Sequence, residues 1–353
     1  MRRELGMFVA LVVMCLALFI SNPDFLGQSN AINTLRQISM LGIYALGVGF
    51  VIVTGGIDLS VGSVVGLTGV IIAKLSTHAT GGLGHSLWLG IPVALGAALL
   101  VGLAQGLLIT RLKLQPFIVT LGGMLLVRGV SQTIVQGGTL SLGTSPLLGL
   151  ANGGLIQVNG DPLVPYPLLM FAAVALLGTY VLHFTVFGRY VYAIGGNRDA
   201  AEYSGINVKK VETATYVISA GLAGVAGICY AAYIGQMSQQ VGVAYELYAI
   251  AAVVLGGCSL RGGEGTVLGI VIGSAIMRVI DNGINMFQIR YEDDQSIPRL
   301  WRLNPNWTFI IVGSVILVAV VLDQVVHIVQ SARRIKRASG PAPVPVAPSG
   351  AGA

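Results

Sequence analysis

The chain has 353 residues, of which 54% are hydrophobic and only 10% charged, with 49 glycines. A soluble domain of this length has no use for so much apolar surface, so the composition excludes a water-soluble enzyme and points to an all-α protein that crosses a membrane many times. The formal charge of +6 comes from basic residues scattered between apolar blocks, which suits orientation in a lipid bilayer and not a nucleic-acid partner.

The start, MRRELGMFVALVVMCLALFISNPDF, imitates a secretory signal, but its apolar run is long and no A-x-A-like site follows. It reads as a retained first helix. At about 20 apolar residues per span, about ten segments are predicted in order: Leu5 to Ile20, Leu35 to Thr54, Ser60 to Leu75, Leu87 to Ile109, Pro116 to Gln136, Tyr166 to Val186, Ala214 to Ile234, Tyr248 to Ser259, Val267 to Met286 and Trp307 to Ile328. The second and third are joined only by Gly55 to Leu59, and the eighth is short and glycine-rich. Each of these two places suits a helix broken within the membrane.

An even count puts both termini on one side, and the positive-inside rule makes that side cytoplasmic. Arg2 and Arg3, Arg111 and Lys113, Arg189 and Arg198, Lys209 and Lys210, Arg261 and the Arg333 to Arg337 cluster then lie inside. Trp88, Trp301 and Trp307 fall at outer helix ends, as an aromatic belt requires.

The polar stretch from Gly188 to Glu212 is therefore cytoplasmic, and it contains a short helix with both ends marked. Asn197 stands at the N-cap, Asp199 puts negative charge in the first turn, and Gly205 suits the left-handed residue that closes a helix. Arg198 and Glu202, four apart, pair on one face, while Ala200 and Ala201 form a small apolar patch. Taken alone, this is a solvated loop helix.

Two glycine turns echo each other. VTGGIDLSVGSVVG from Val53 and VLGGCSLRGGEGTVLG from Val254 each place a Gly-Gly pair, Gly55 and Gly56 or Gly256 and Gly257, between apolar segments. Duplication and a shared packing solution both account for the echo. Asp58 is expected to cap the helix after the first turn.

Cys15, Cys229 and Cys258 lie in apolar segments as packing residues, and His78, His85, His183 and His327 stand singly, without metal-ligand spacing. No lysine follows a glycine, so no P-loop is present to bind ATP. The carboxylates nearest the membrane, Asp58, Glu246 and Asp281, are expected at segment ends, which argues against an ion-driven carrier. No paired catalytic set is found, so the chain reads as a conduit and not an enzyme, with no cofactor or metal.

GGIDLSVG from Gly55, GRYVYAIGGNRDAAEYSGI from Gly188, YELYAIAAVVLGGCSLRGGEGTVLG from Tyr245 and DNGIN from Asp281 resemble the permease subunits of bacterial ABC sugar importers, in the ribose, xylose and galactose branch. The resemblance runs from about Asn30 to Asp323. It implies a type II-like importer fold in the inner membrane, a second permease subunit, identical or not, cytoplasmic ATPase subunits docked on a coupling helix, and a periplasmic sugar-binding protein. The coupling helix would be Asn197 to Gly205. Independently of the resemblance, the turn at Gly55, Gly56 and Asp58, and its echo at Gly256 and Gly257, are expected to reach the cytoplasmic gate, since glycines permit tight backbone turns. The chain departs from the family between Met286 and Trp307, where IRYEDDQSIPRLWRLNPN is longer and more charged than the usual short outer loop.

Residues 1–330 are thus expected to form the membrane domain, with an extended periplasmic loop at about 287–306, and residues 331–353 a basic, then Pro/Ala/Gly-rich, disordered tail. A sugar offers hydroxyls and no charge, so Gln105, Gln132, Tyr230, Tyr233, Asn282 and Asn285 are candidates for its path. Interhelical hydrogen bonding is the competing reading for each. Another small solute, such as a branched-chain amino acid, a nucleoside or a sugar-derived signal, stays open as cargo, as does a carrier or channel that needs no partner.

Overall fold

The computed structural model describes residues 2–76, 82–158, 161–292, 298–302, 304 and 306–338. The first helices are α1 (Arg2–Ser21), α2 (Gln28–Val53), α3 (Val61–Ser76), α4 (Leu87–Arg111) and α5 (Pro116–Val135), with a 3-10 turn at Pro23–Leu26. Then come β1 (Thr139–Ser141), α6 (Leu148–Asn152), β2 (Gly154–Val158) and β3 (Asp161–Pro165). α7 (Tyr166–Thr179) runs on through a π turn, Tyr180–Phe184, to α8 (Val186–Gly196), α9 (Arg198–Tyr203) and α10 (Val208–Ile234). The chain ends with β4 (Gln236–Ser238), α11 (Tyr245–Leu255), α12 (Val267–Met286), β5 (Gln288–Glu292), β6 (Pro298–Arg302) and α13 (Trp307–Ala338).

The protein is mainly helical, as its composition predicts. Among the described residues, seven helices are long and apolar enough to cross a membrane, and three shorter apolar helices, Val61–Ser76, Tyr245–Leu255 and Trp307–Val318, occupy the remaining predicted segments. Three two-stranded antiparallel ladders, β1 with β4, β2 with β3 and β5 with β6, are additions that periodicity did not announce. The last of them lies within the long charged loop, of which residues 293–297 fall outside the described set. α13 continues through the basic stretch Ser331 to Arg337 as far as Ala338, and residues 339–353 of the predicted tail lie outside the described residues.

Burial orders the helices. The most apolar window of α2 is 83% buried and that of α1 0% buried, so α2 is central and α1 peripheral. α10 is the second central helix and packs chiefly on α4, α2 and α3. Without a hydrophobic drive between helices in lipid, close approach of backbones supplies the attraction. A Cβ at Gly102 would stand 2.6 Å from the Tyr216 carbonyl oxygen, and one at Gly106 3.0 Å from the Thr213 Cα, so α4 lies almost directly on the α10 backbone.

Side-chain caps set several boundaries. Ser86 Oγ accepts from the Trp88 N–H, Thr266 Oγ1 from the Gly269 N–H and Asn207 Oδ1 from the Lys210 N–H, opening α4, α12 and α10.

Candidate functional site

α2 ends where the Thr54 hydroxyl folds back on the Val51 carbonyl at 2.7 Å and Gly55 takes φ +83°. The chain then re-enters the bundle without helical hydrogen bonds. Asp58, 1% exposed, accepts hydrogen bonds from the Ser60 N–H (2.9 Å), the Ser60 hydroxyl (2.7 Å) and the Ser219 hydroxyl (2.7 Å). Ser60 Oγ also lies 3.0 Å from Gln105 Oε1, 4% exposed, so Asp58 and Gln105 compete for the hydroxyl's single proton. Two of the sequence expectations change here. Asp58 holds the residue ahead of α3, not an N–H of the helix itself. Ser219 lies eleven residues into α10, about 16 Å at 1.5 Å per residue, so Asp58 is level with the middle of that helix and not at a segment end.

The second glycine turn closes α11, with Gly257 at φ +82°. A Cβ at Gly256 would come within 2.5 Å of the Gly269 carbonyl oxygen, so α11 and α12 meet backbone to backbone at this turn. The two echoing turns also meet each other. The Gly263 N–H donates to the Val53 carbonyl at 2.8 Å, and a Cβ at Gly55 would stand 3.3 Å from the Arg261 carbonyl oxygen. Gly195, at the end of α8, closes the joint. Any Cβ there would overlap both the Val53 carbonyl oxygen and the Gly263 nitrogen.

From that joint the chain turns into α9. Asn197 caps it through a 2.9 Å hydrogen bond from the Ala200 N–H, and Gly205 at φ +85° closes it. Arg198 reaches Glu202 at 3.8 Å, the expected pair, but it also grips Glu212 on α10 by two hydrogen bonds, Nε at 2.9 Å and Nη2 at 3.3 Å. The Glu212 bond holds the guanidinium further above its usual range, so the charge is fixed. The alanine patch divides. Ala201 is 4% exposed and belongs to the core, whereas Asp199, Ala200, Glu202 and Tyr203, the last 91% exposed, face outward. Ala201 therefore anchors the helix and is not open to a partner, because the i to i+4 period turns it to the bundle when Asn197 and Gly205 are at the ends.

The candidates for the solute path separate in the same way. Gln105 is sealed into the Asp58 cluster. Tyr230 is 4% exposed and accepts from Arg278 Nη2 at 2.8 Å. Tyr233 donates to Asn33 at 2.6 Å, and Asn282 donates to Asn30 at 2.9 Å and Thr34 at 2.6 Å, which ties α12 and α10 to α2. Asn285 is exposed at the end of α12, bonded to the Asp281 carbonyl at 2.8 Å. Gln132 is exposed on α5, on the same face as Gly122 and Gly129, whose absent side chains leave open space.

Sequence reasoning missed one buried polar cluster. Arg278, 8% exposed in the midst of α12, pairs with Asp281 at 3.2 Å, donates to Tyr230 and lies over the Tyr248 ring at 5.4 Å from its centroid. Tyr44, Tyr230 and Tyr245 pack together beside it, with ring centroids 5.0 to 6.4 Å apart. Glu246, 7% exposed at the start of α11, stands 3.9 Å from Arg128 of α5. The available signal was an arginine with an aspartate three residues on, inside a run otherwise apolar enough to cross a membrane.

Broken helices around a hydrogen-bonded carboxylate, and a capped helix standing out from the joint between them, are set in a multi-pass membrane protein, and its family is that of permeases. The profile of the family described as branched-chain amino acid transport system / permease component matches residues 30–321, and the chain belongs to that family. The ribose import permease protein of Haemophilus influenzae is 39% identical over 283 residues, covering 80% of this chain and 85% of the relative. That of Bacillus subtilis is 35% identical over 325 residues, 91% of this chain and 93% of the relative. The galactose/methyl galactoside import permease protein of Escherichia coli is 35% identical over 337 residues, 91% of this chain and 94% of the relative. Within the family, the chain falls in the sugar-importer branch that holds these relatives. No solved structure matches it.

Proposed function

We propose that this chain is the non-catalytic membrane subunit of an ATP-driven importer for a monosaccharide. The observation that carries the reading is α9, a short capped helix whose outward face, Asp199, Ala200, Glu202 and Tyr203, is exposed while its base rests on bare backbone at the two glycine turns. Such a helix transmits a push. A separate cytoplasmic ATPase docking there would move Gly195 directly against Val53 and Gly263, and with them Gly55, Gly56, Gly256 and Gly257. Alternating access would follow as a rigid-body motion of the bundle about these turns.

The sugar cargo rests on the names of the relatives at 35–39% identity, which are ribose and galactose import permeases. A periplasmic binding protein would deliver the sugar, and both termini and α9 would face the cytoplasm of a bacterial inner membrane, in keeping with the distribution of basic residues. A second permease subunit is supported by α5, because Gln132 exposed beside Gly122 and Gly129 is costly against lipid and acceptable against protein or a water-filled path. Gln132 is then the path candidate best placed, with Gln105, Tyr230, Tyr233 and Asn282 holding helices together.

Reconstitution with an ABC ATPase and a sugar-binding protein tests the reading. ATP-dependent uptake of labelled ribose or galactose is expected. Uptake by this chain alone in liposomes without ATP would establish a carrier instead. The family description names branched-chain amino acids, so leucine belongs in the uptake series, where it is expected to be excluded.

A further inference from the structure

A cleft of about 540 Å³ opens between α9, the start of α10, the link from α4 to α5 and the turn at Gly55 and Gly56. Its floor is Tyr216, which is 2% exposed; its hydroxyl oxygen is approached by the Ile57 N–H, but its own proton finds no acceptor among the described residues. A Cβ at Gly56 would stand 2.6 Å from that hydroxyl, so the glycine leaves it room. A phenol proton left without an acceptor at the bottom of a cleft is costly, and a ligand that accepts it removes the cost.

The walls carry Lys113, Lys209 and Arg198 against Glu202 and Glu212. Arg198 is engaged by both carboxylates, at 2.9 Å from Glu212 and 3.8 Å from Glu202, which leaves the two exposed lysines to set a net positive charge, three cations against two anions. The mouth has a distinct neighbourhood. Leu112, Leu114, Phe117 and Ile118, on either side of Lys113, are 63%, 45%, 50% and 61% exposed. Bare apolar side chains next to a lysine mark the level where a chain passes from acyl tails to headgroups.

We propose that this cleft holds the phosphodiester headgroup of an anionic membrane lipid, with its oxygens accepting from Tyr216, Lys113 and Lys209 and its acyl chains lying over Leu114, Phe117 and Ile118. An acidic segment of a cytoplasmic protein would satisfy the lysines but would gain nothing from the leucines. The lipid touches the base of α9 and the Gly55 turn at once, so its occupancy sets how the two move together. Because the site needs only membrane embedding, it stands independently of which solute is carried.

The test uses the full chain, purified and delipidated in detergent, with dihexanoyl phosphatidylglycerol, dihexanoyl phosphatidylcholine and glycerol phosphate as probes, read by native mass spectrometry and thermal unfolding. The phosphatidylglycerol is expected to bind about tenfold more tightly than either of the others, a difference both readouts resolve. Tyr216→Phe, which removes only the hydroxyl and should fold normally, and Lys113→Gln combined with Lys209→Gln, are each expected to weaken it about tenfold. Unchanged binding in both variants, or equal binding of phosphatidylcholine, overturns the site. Glycerol phosphate binding as tightly as the lipid overturns the lipid as occupant. Lysine variants that keep the lipid but lose a co-purifying ATPase would assign the cleft to a protein partner instead.

Discussion

Ser219 Oγ donates a 2.7 Å hydrogen bond to Asp58 Oδ2, joining the middle of α10 to the re-entrant turn after α2 across 161 residues of sequence. Because a hydroxyl can reverse its proton, an amide in place of the carboxylate keeps this bond with the roles exchanged. Asp58→Asn is therefore expected to leave the unfolding midpoint nearly unchanged, whereas Asp58→Ala strands buried donors and should cost about 1–3 kcal/mol. If the charge serves the gate, ATP-dependent uptake falls in the Asn variant while the protein stays folded. Full uptake with Asn at position 58 would sink the gating role.

Ala201 and Ala200 separate anchoring from docking on one short helix. Ala201→Glu buries an unpaired charge and should destabilise the subunit by several kcal/mol, on the order of 3–5, visible as poor yield and a lowered melting temperature in detergent. Ala200→Glu and Tyr203→Ala, on the exposed face, should melt as the parent does. They are expected to fail in retaining the ATPase on purification, and retention by both would show that this face does not dock.

The arginine in α12 gives a graded series. Arg278→Gln leaves Asp281 with the Thr308 hydroxyl but without its ionic partner and should cost about 3–5 kcal/mol, while Tyr230→Phe removes a single hydrogen bond to a charged group and should cost about 1.5–3 kcal/mol. Thermal unfolding of the two variants and their double mutant checks the order. Strict additivity would mean that the two side chains are not coupled.

How much of this was legible in the sequence depends on what each residue answers to. The caps at Asn197 and Gly205 are local, decided within a turn of chain, and the structure has them where the spacing put them. The inward turn of Ala201, the second grip of Arg198 on Glu212 and the meeting of the two glycine turns are decided by tertiary packing, which no window of sequence contains. Asp58 was placed at a segment end because the extended link from Gly55 to Ser60 carries no helical period, and only its three buried donors reveal its depth. Arg278 was legible in principle, because a charge within an apolar span is costly enough to demand a partner.

Orientation is open to labelling. With α9 on the inner side, a cysteine at Ser204 should be shielded from an impermeant thiol reagent added to intact cells. One at Thr144, exposed in the segment between α5 and α7, should react. The reverse pattern would invert the membrane topology and remove the ATPase from α9.

The 11 residues of α11 extend about 16 Å, roughly half of the 30 Å hydrocarbon layer. A nascent segment of that length, carrying Glu246 in its first turn, is too short and too polar to leave the translocation channel for lipid by its own partitioning. It can be held only between α2 and α5, made before it, and α12, made after it, where Arg128 of α5 meets the carboxylate and Gly256 meets Gly269 of α12. Biogenesis of this half of the protein is thus obliged to wait for α12 to emerge from the ribosome, and a truncation after Leu255 should be handed to membrane proteases as an unfinished chain.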